Sequence, residues 1–233
     1  MAVREAVARA VEKKEIDNRD FRFVVRLGRD DHVVSEALLE KKLKEIALRI
    51  GVPKITLVLL PWPTAPNSTH NRRDKMSQIR QMRATWDLLS SILQKPDGCI
   101  KNIGFEELEV WQIESLISPA PPVKKPEVLP RGNHFSVSPW RSQMSLIQFC
   151  HSRGIECLVD LNWDPKKSRV GESIGLDEMK NIDKNVNYLQ KLFDRELMQI
   201  LTLWAINRGL VVFPDFPLPN DVPKDPTAYD KWR

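Results

Sequence analysis

Lys54-Ile55-Thr56-Leu57-Val58-Leu59-Leu60-Pro61-Trp62-Pro63 decides how this chain folds. The apolar run Leu57 to Leu60, short and bounded by breakers, predicts a strand buried on both faces, the signature of a parallel sheet. Pro61 has no N–H for a ladder, so the strand ends there. The carboxyl ends of parallel strands are where α/β proteins build their chemistry. Pro61 therefore puts an inert side chain where an active enzyme would carry a polar one.

Outward from this strand, the pattern alternates. Upstream, Val3, Val7, Ala10 and Val11 predict a first helix and Phe21 to Leu27 a strand closed by Gly28. Ser35 reads as the cap of a helix carrying Leu39, Leu43, Ile46 and Ile50, closed by Gly51 and stopped by Pro53. Downstream, Met76, Ile79, Met82, Trp86, Leu89 and Leu93 trace a long helix face after a polar loop, Pro63 to Arg73. Ile100 to Phe105 predicts a strand, Leu108 to Ile117 a helix, and the proline-rich Ser118 to Arg131 an extended, exposed crossover that a partner could also grip. Asn133 to Val137 and Ile155 to Leu161 read as strands flanking a helix with Met144, Ile147 and Cys150. Asn162 to Lys184 reads as a polar loop. Leu189 to Trp204 predicts one last long helix before a strand, Leu210 to Phe213.

Strands separated by helices indicate a parallel sheet, either an open doubly wound one or a barrel. No Gly-x-Gly-x-x-Gly and no Gly-Lys-Ser/Thr phosphate loop follows any strand, which favours the barrel. The expected domain is a partial (β/α) barrel over 1–213 with about six parallel strands, followed by an irregular proline-rich tail over 214–233. The chain has 233 residues, 42% of them hydrophobic, enough for a sizeable core. No run approaches the roughly 20 apolar residues of a membrane span. The net charge of +5 is dispersed, so nucleic-acid contact is expected to be peripheral at most. Cys99, Cys150 and Cys157 have no metal-ligand spacing and read as reduced core thiols of an intracellular compartment, cytoplasm or mitochondrial matrix.

Several stretches carry a resemblance. Ala37-Leu38-Leu39 through Leu57-Val58-Leu59-Leu60-Pro61-Trp62-Pro63, Thr85-Trp86-Asp87-Leu88-Leu89 through Gly98-Cys99-Ile100-Lys101-Asn102-Ile103-Gly104, and Leu203-Trp204-Ala205-Ile206-Asn207-Arg208-Gly209-Leu210-Val211-Val212-Phe213-Pro214 resemble, in consistent order, the aldo-keto reductases, eight-stranded barrels that reduce carbonyls with NADPH. Aligned this way, the chain starts at the family's second helix, and the strands that carry the catalytic aspartate and tyrosine have no counterpart. The family's catalytic lysine falls on Arg26 and its histidine on Pro61. The Ser-Asn pair that holds the nicotinamide amide falls on Glu106-Glu107, a glutamine on His134, the ring-stacking tyrosine on Asp160, and the 2′-phosphate residues on Asp215 and Phe216.

Carboxylates around a polyphosphate reverse the required electrostatics, so the resemblance as it stands implies no NADPH binding, no cofactor, no metal, and a pseudoenzyme serving as an accessory subunit of a larger assembly. The alternatives are a regulatory subunit of another enzyme, or an NADPH-dependent reductase completed by segments outside this chain. Lost barrel strands would leave edges for another protein subunit to seal, near Phe21, Phe23, Val25, Leu210 and Val212.

Overall fold

A computed structural model describes residues 22–63, 72–119, 122–139, 141–161 and 176–213, together with Glu5, Ala8, Arg9, Glu12 and Lys13. Those isolated N-terminal positions include helical ones; the valines of the expected first helix lie outside the described residues. The elements are β1 (Val24–Arg26), a 3-10 helix (Arg29–Val33), α1 (Glu36–Ile50), β2 (Leu57–Pro61), α2 (Arg72–Gln94), β3 (Ile103–Glu106) and α3 (Val110–Ile117). They continue with β4 (Gly132–Val137), α4 (Met144–Ser152), β5 (Glu156–Leu161), α5 (Leu176–Phe193), α6 (Leu197–Ile206) and β6 (Val211–Phe213). The strands lie side by side in chain order, β1 to β6. The pairs β1–β2, β2–β3 and β3–β4 are parallel. Parallel neighbours in chain order, each joined through a helix, are the repeating step of a (β/α) barrel.

The chain forms two compact units. The first comprises Met1–Phe135 and Gln143–Leu158. At its centre lies β2, every residue of which is buried, because it is paired on both edges and covered on both faces. Ser35 caps α1 by accepting from the Leu38 N–H, and Gly51 closes it at φ 87°, a left-handed conformation that glycine adopts without a Cβ clash. The buried stripe of α1 is Leu39, Leu43 and Ala47. In α2 it is Met82, Trp86, Leu89 and Ile92, with Met76 exposed. The 3.6-residue period carries the stripe to Ile92, one residue before the expected Leu93. Lys95, just beyond α2, reaches Glu36 at 2.8 Å and Glu40 at 2.6 Å on α1. β3 starts later than expected: Ile100 makes only an isolated bridge to Ile55, and regular pairing begins at Ile103.

Two glycines let neighbouring strands approach. A Cβ at Gly104 on β3 would meet the Gly132 carbonyl oxygen of β4 at 2.5 Å, and one at Gly132 would crowd Leu158 Cδ1 of β5. Cys99, Cys150 and Cys157 are free and buried.

The second unit comprises Ser136–Ser142 and Val159–Arg233. Two expectations are corrected here. Residues from Leu176 onward, read as loop, belong to α5; Leu176, Met179, Ile182, Val186 and Leu189 have helical spacing that the polar residues between them diluted. The single last helix is two, because Asp194 sits at φ 50° and breaks the continuation before α6. The Glu196 N–H that opens α6 donates to Gln199 Oε1 at 2.9 Å, and α6 buries Leu201 and Ala205. β6 is shorter than expected by Leu210, which is itself buried. The tail 214–233 lies outside the described residues. Among the described residues no helix is long and apolar enough to cross a membrane.

Candidate functional site

The carboxyl ends of the first unit's strands carry the site. β1 ends at Arg26, β2 at Pro61 and β3 at Glu106, and the register sets Pro61 beside Glu106 and Glu106 beside His134. Arg26 Nη1 lies 3.5 Å from Glu106 Oε1. Its Nη2 lies 3.0 Å from His134 Nε2. In a flat sheet β1 and β4, three strand spacings apart, would be separated by about 14 Å. Contact between an arginine and an imidazole at that separation requires the sheet to curl, as a barrel does.

The protonation pattern follows from the partners. A guanidinium has no acceptor, so His134 Nε2 accepts and the imidazole proton sits on Nδ1. His134 is buried and Glu106 nearly so, with 17% of its side chain exposed, while 48% of the Arg26 side chain remains exposed. The pair holds the arginine while leaving about half of its side chain exposed. Glu107, the next residue after β3, has φ 55°, a left-handed conformation costly for a residue with a Cβ. Its N–H donates to the His134 carbonyl at 2.7 Å, which fixes the turn that follows Glu106.

A second histidine comes to the end of β2. His32 Nε2 lies 2.7 Å from the Pro61 carbonyl oxygen and its Nδ1 3.1 Å from Thr85 Oγ1 on α2. The carbonyl only accepts, so Nε2 carries a proton; the Thr85 hydroxyl beside Nδ1 also donates to the Gln81 carbonyl one turn back on α2, at 3.1 Å. Burial lowers the His32 pKa below its ordinary value, against the opposing effects of the Pro61 carbonyl and of Asp31. Asp31 in turn accepts from the Gly28 N–H at 2.7 Å and meets Lys42 Nζ of α1 at 2.6 Å. Pro61 is thus a backbone anchor for a neutral imidazole. Its position is inert only in its own side chain. The signal that could have found this was Asp31-His32, placed directly after the strand that ends beside β2.

Asp160 is half-buried on β5. Asp215, Phe216 and Phe21 lie outside the described residues. Phe23, Val25 and Val212 are half-buried, and Leu210 is 4% exposed, so this chain already covers it. Trp62 follows β2 and packs edge-on against Trp111 of α3, ring centroids 5.6 Å apart, with Lys75 Nζ 5.1 Å over the Trp111 ring. Among the described residues no group of three or more His, Cys, Asp or Glu is placed to hold a metal ion.

Residues 2–168 match the family model of the aldo/keto reductase family. The mouse aldo-keto reductase family 1 member D1 is 25% identical over 98% of this chain and 68% of its own length. Aldo-keto reductase AKR2E4 of Bombyx mori is 23% identical over 91% of this chain and 63% of its own. Among solved structures, the chain superposes on AKR2E4 of Bombyx mori in complex with NADP with a TM-score of 0.65 and 21% identity, covering 91% of this chain and 64% of that one. It superposes on silkworm AKR2E5 complexed with NADPH, also with a TM-score of 0.65, at 16% identity, covering 91% and 60%. The chain therefore spans about two thirds of the length of these relatives, and its fold is an incomplete (β/α) barrel.

These matches overturn the expectation of a pseudoenzyme. The relatives named above are aldo-keto reductases, and two of the solved structures are complexes with NADPH or NADP. The expectation compared side chains one position at a time. It could not see that Arg26, Glu106 and His134 meet, or that His32 supplies an imidazole beside Pro61. By its family match over residues 2–168, this chain belongs to the aldo/keto reductase family.

Proposed function

We propose that this chain forms the larger part of an NADPH-dependent carbonyl oxidoreductase whose barrel is completed by segments outside it. What carries the reading is Arg26: a half-exposed guanidinium, held by Glu106 and His134 at the carboxyl ends of parallel strands. When a hydride adds to a carbonyl, negative charge develops on the oxygen, and a fixed cation there stabilises the transition state more than the ground state. NADPH would supply the hydride. Glu106 can accept from the N–H groups of a nicotinamide carboxamide, so the described residues fit that end of the cofactor. The general acid and the phosphate contacts are assigned to segments outside the described residues. The added strands would dock beside β1, which stands at one end of the strand order.

The test follows NADPH fluorescence during incubation with an aromatic aldehyde, using the native protein that contains this chain. Aldehyde-dependent loss of NADPH is expected, falling about a hundredfold in Arg26→Ala. Absence of aldehyde-dependent turnover in the native protein would overturn the reading.

A further inference from the structure

The first unit holds a cavity of about 510 Å³ on the outer side of the sheet, between α2, α3 and the proline-rich crossover. It is a built feature. The Trp86 indole N–H donates to the Val128 carbonyl at 2.9 Å, tying the crossover to α2, and Trp86 packs on Phe105 of β3 with ring centroids 4.6 Å apart. The crossover, exposed over much of its length as expected, is thus anchored by the chain's own tryptophan.

The cavity lining has two kinds of surface. Trp86, Phe105, Leu116, Ile117, Val123 and Pro126 provide apolar walls. Arg83 provides a charged group whose state needs a partner: one terminal nitrogen donates to the Ser115 carbonyl, while Nε is buried with no hydrogen-bond partner among the described residues. Desolvation lowers the Arg83 pKa and raises that of Asp87, each partly opposed by the other's charge. A buried guanidinium donor left unmade is costly, and a carboxylate is the acceptor its geometry suits best. Lys124 and Lys125 at the lip add positive charge, partly offset by Asp87 and Glu127. The size lies within the range of small-molecule pockets.

We infer that this cavity is a binding site for a small amphipathic carboxylate, an aromatic or branched aliphatic acid whose ring or chain lies against Trp86 and Phe105 and whose carboxylate meets Arg83. It is separate from the strand-end site and stands whether or not the chain takes part in carbonyl reduction.

The test is calorimetric titration of the native protein that contains this chain with 2-naphthoate and with its uncharged amide, 2-naphthamide, without NADPH. Saturable binding of the acid is expected, weaker by about tenfold or more for the amide and for Arg83→Met. Because Arg83→Met also removes the bond to Ser115 and could impair folding, Val123→Trp serves as the second variant: it fills the cavity, leaves Arg83 in place, and is expected to abolish binding. Equal binding of acid and amide, unchanged binding in Val123→Trp, or no saturable binding of the acid would overturn the proposal.

Discussion

Arg26 of β1 and His134 of β4 meet at 3.0 Å although 108 residues separate them in the chain. The contact gives an arginine that points to the strand ends a fixed direction, because Glu106 pulls on its other terminal nitrogen. A charge held this way needs no reorganisation when a substrate oxygen gains charge. Arg26→Lys keeps the charge but loses the planar fork that bridges two partners. It should retain more turnover than Arg26→Ala and less than the parent protein, with the loss in kcat rather than KM. A kcat equal to the parent's in both variants would remove Arg26 from the site.

His32 makes stability depend on pH. Its folded-state pKa is lowered by burial, so below the ordinary imidazole value of about 6.5 the unfolded state takes up a proton that the folded state resists. Its contribution to stability is therefore complete above that value. It is lost as pH falls toward the lowered folded pKa. Urea midpoints measured between neutral and mildly acidic pH should show this loss, and His32→Gln, although less stable overall, should flatten that part of the profile. An unchanged slope in the variant would show that another group is responsible.

Gly104→Ala should destabilise the first unit by about 2 kcal/mol or more. The new methyl would meet the Gly132 carbonyl oxygen at 2.5 Å, and backbone in a parallel sheet cannot step aside as a flexible side chain would. Gly154→Ala is the control: nothing lies within 4 Å of an added Cβ there, although φ is 69°, so its smaller cost would report backbone strain alone. Chemical denaturation of both variants gives the comparison.

Glu107 occupies a left-handed conformation at φ 55°. Glu107→Gly should be neutral or stabilising by up to about 1 kcal/mol, whereas Glu107→Val should destabilise by a similar amount or more. The opposite order, read from thermal midpoints, would mean that the Glu107 side chain outweighs its backbone strain.

The fold was legible where local patterns coincide with burial. Leu57 to Leu60 could only be a strand covered on both faces, Pro61 marked its end, and Ser35 and Gly51 marked both ends of α1. The break at Asp194 was not legible, because an aspartate at positive φ leaves no trace in the four-residue spacing of Leu189, Phe193, Leu197 and Leu201. The candidate site was legible only in pieces. Arg26, Glu106 and His134 were each identified by position and each judged a loss. Their meaning depends on the curl of the sheet and on a register that pairs Glu106 with His134, which no single position encodes. His32 escaped notice because its role runs through the backbone carbonyl of Pro61.

We propose, as above, that this chain is part of an NADPH-dependent carbonyl oxidoreductase. The most direct measurement is NADPH titration of the native protein, with fluorescence as the readout, followed by addition of an aromatic aldehyde. Saturable NADPH binding is expected, with aldehyde-dependent oxidation that Arg26→Ala slows about a hundredfold. Failure of the native protein to bind NADPH, or binding with no aldehyde-dependent oxidation, would contradict it.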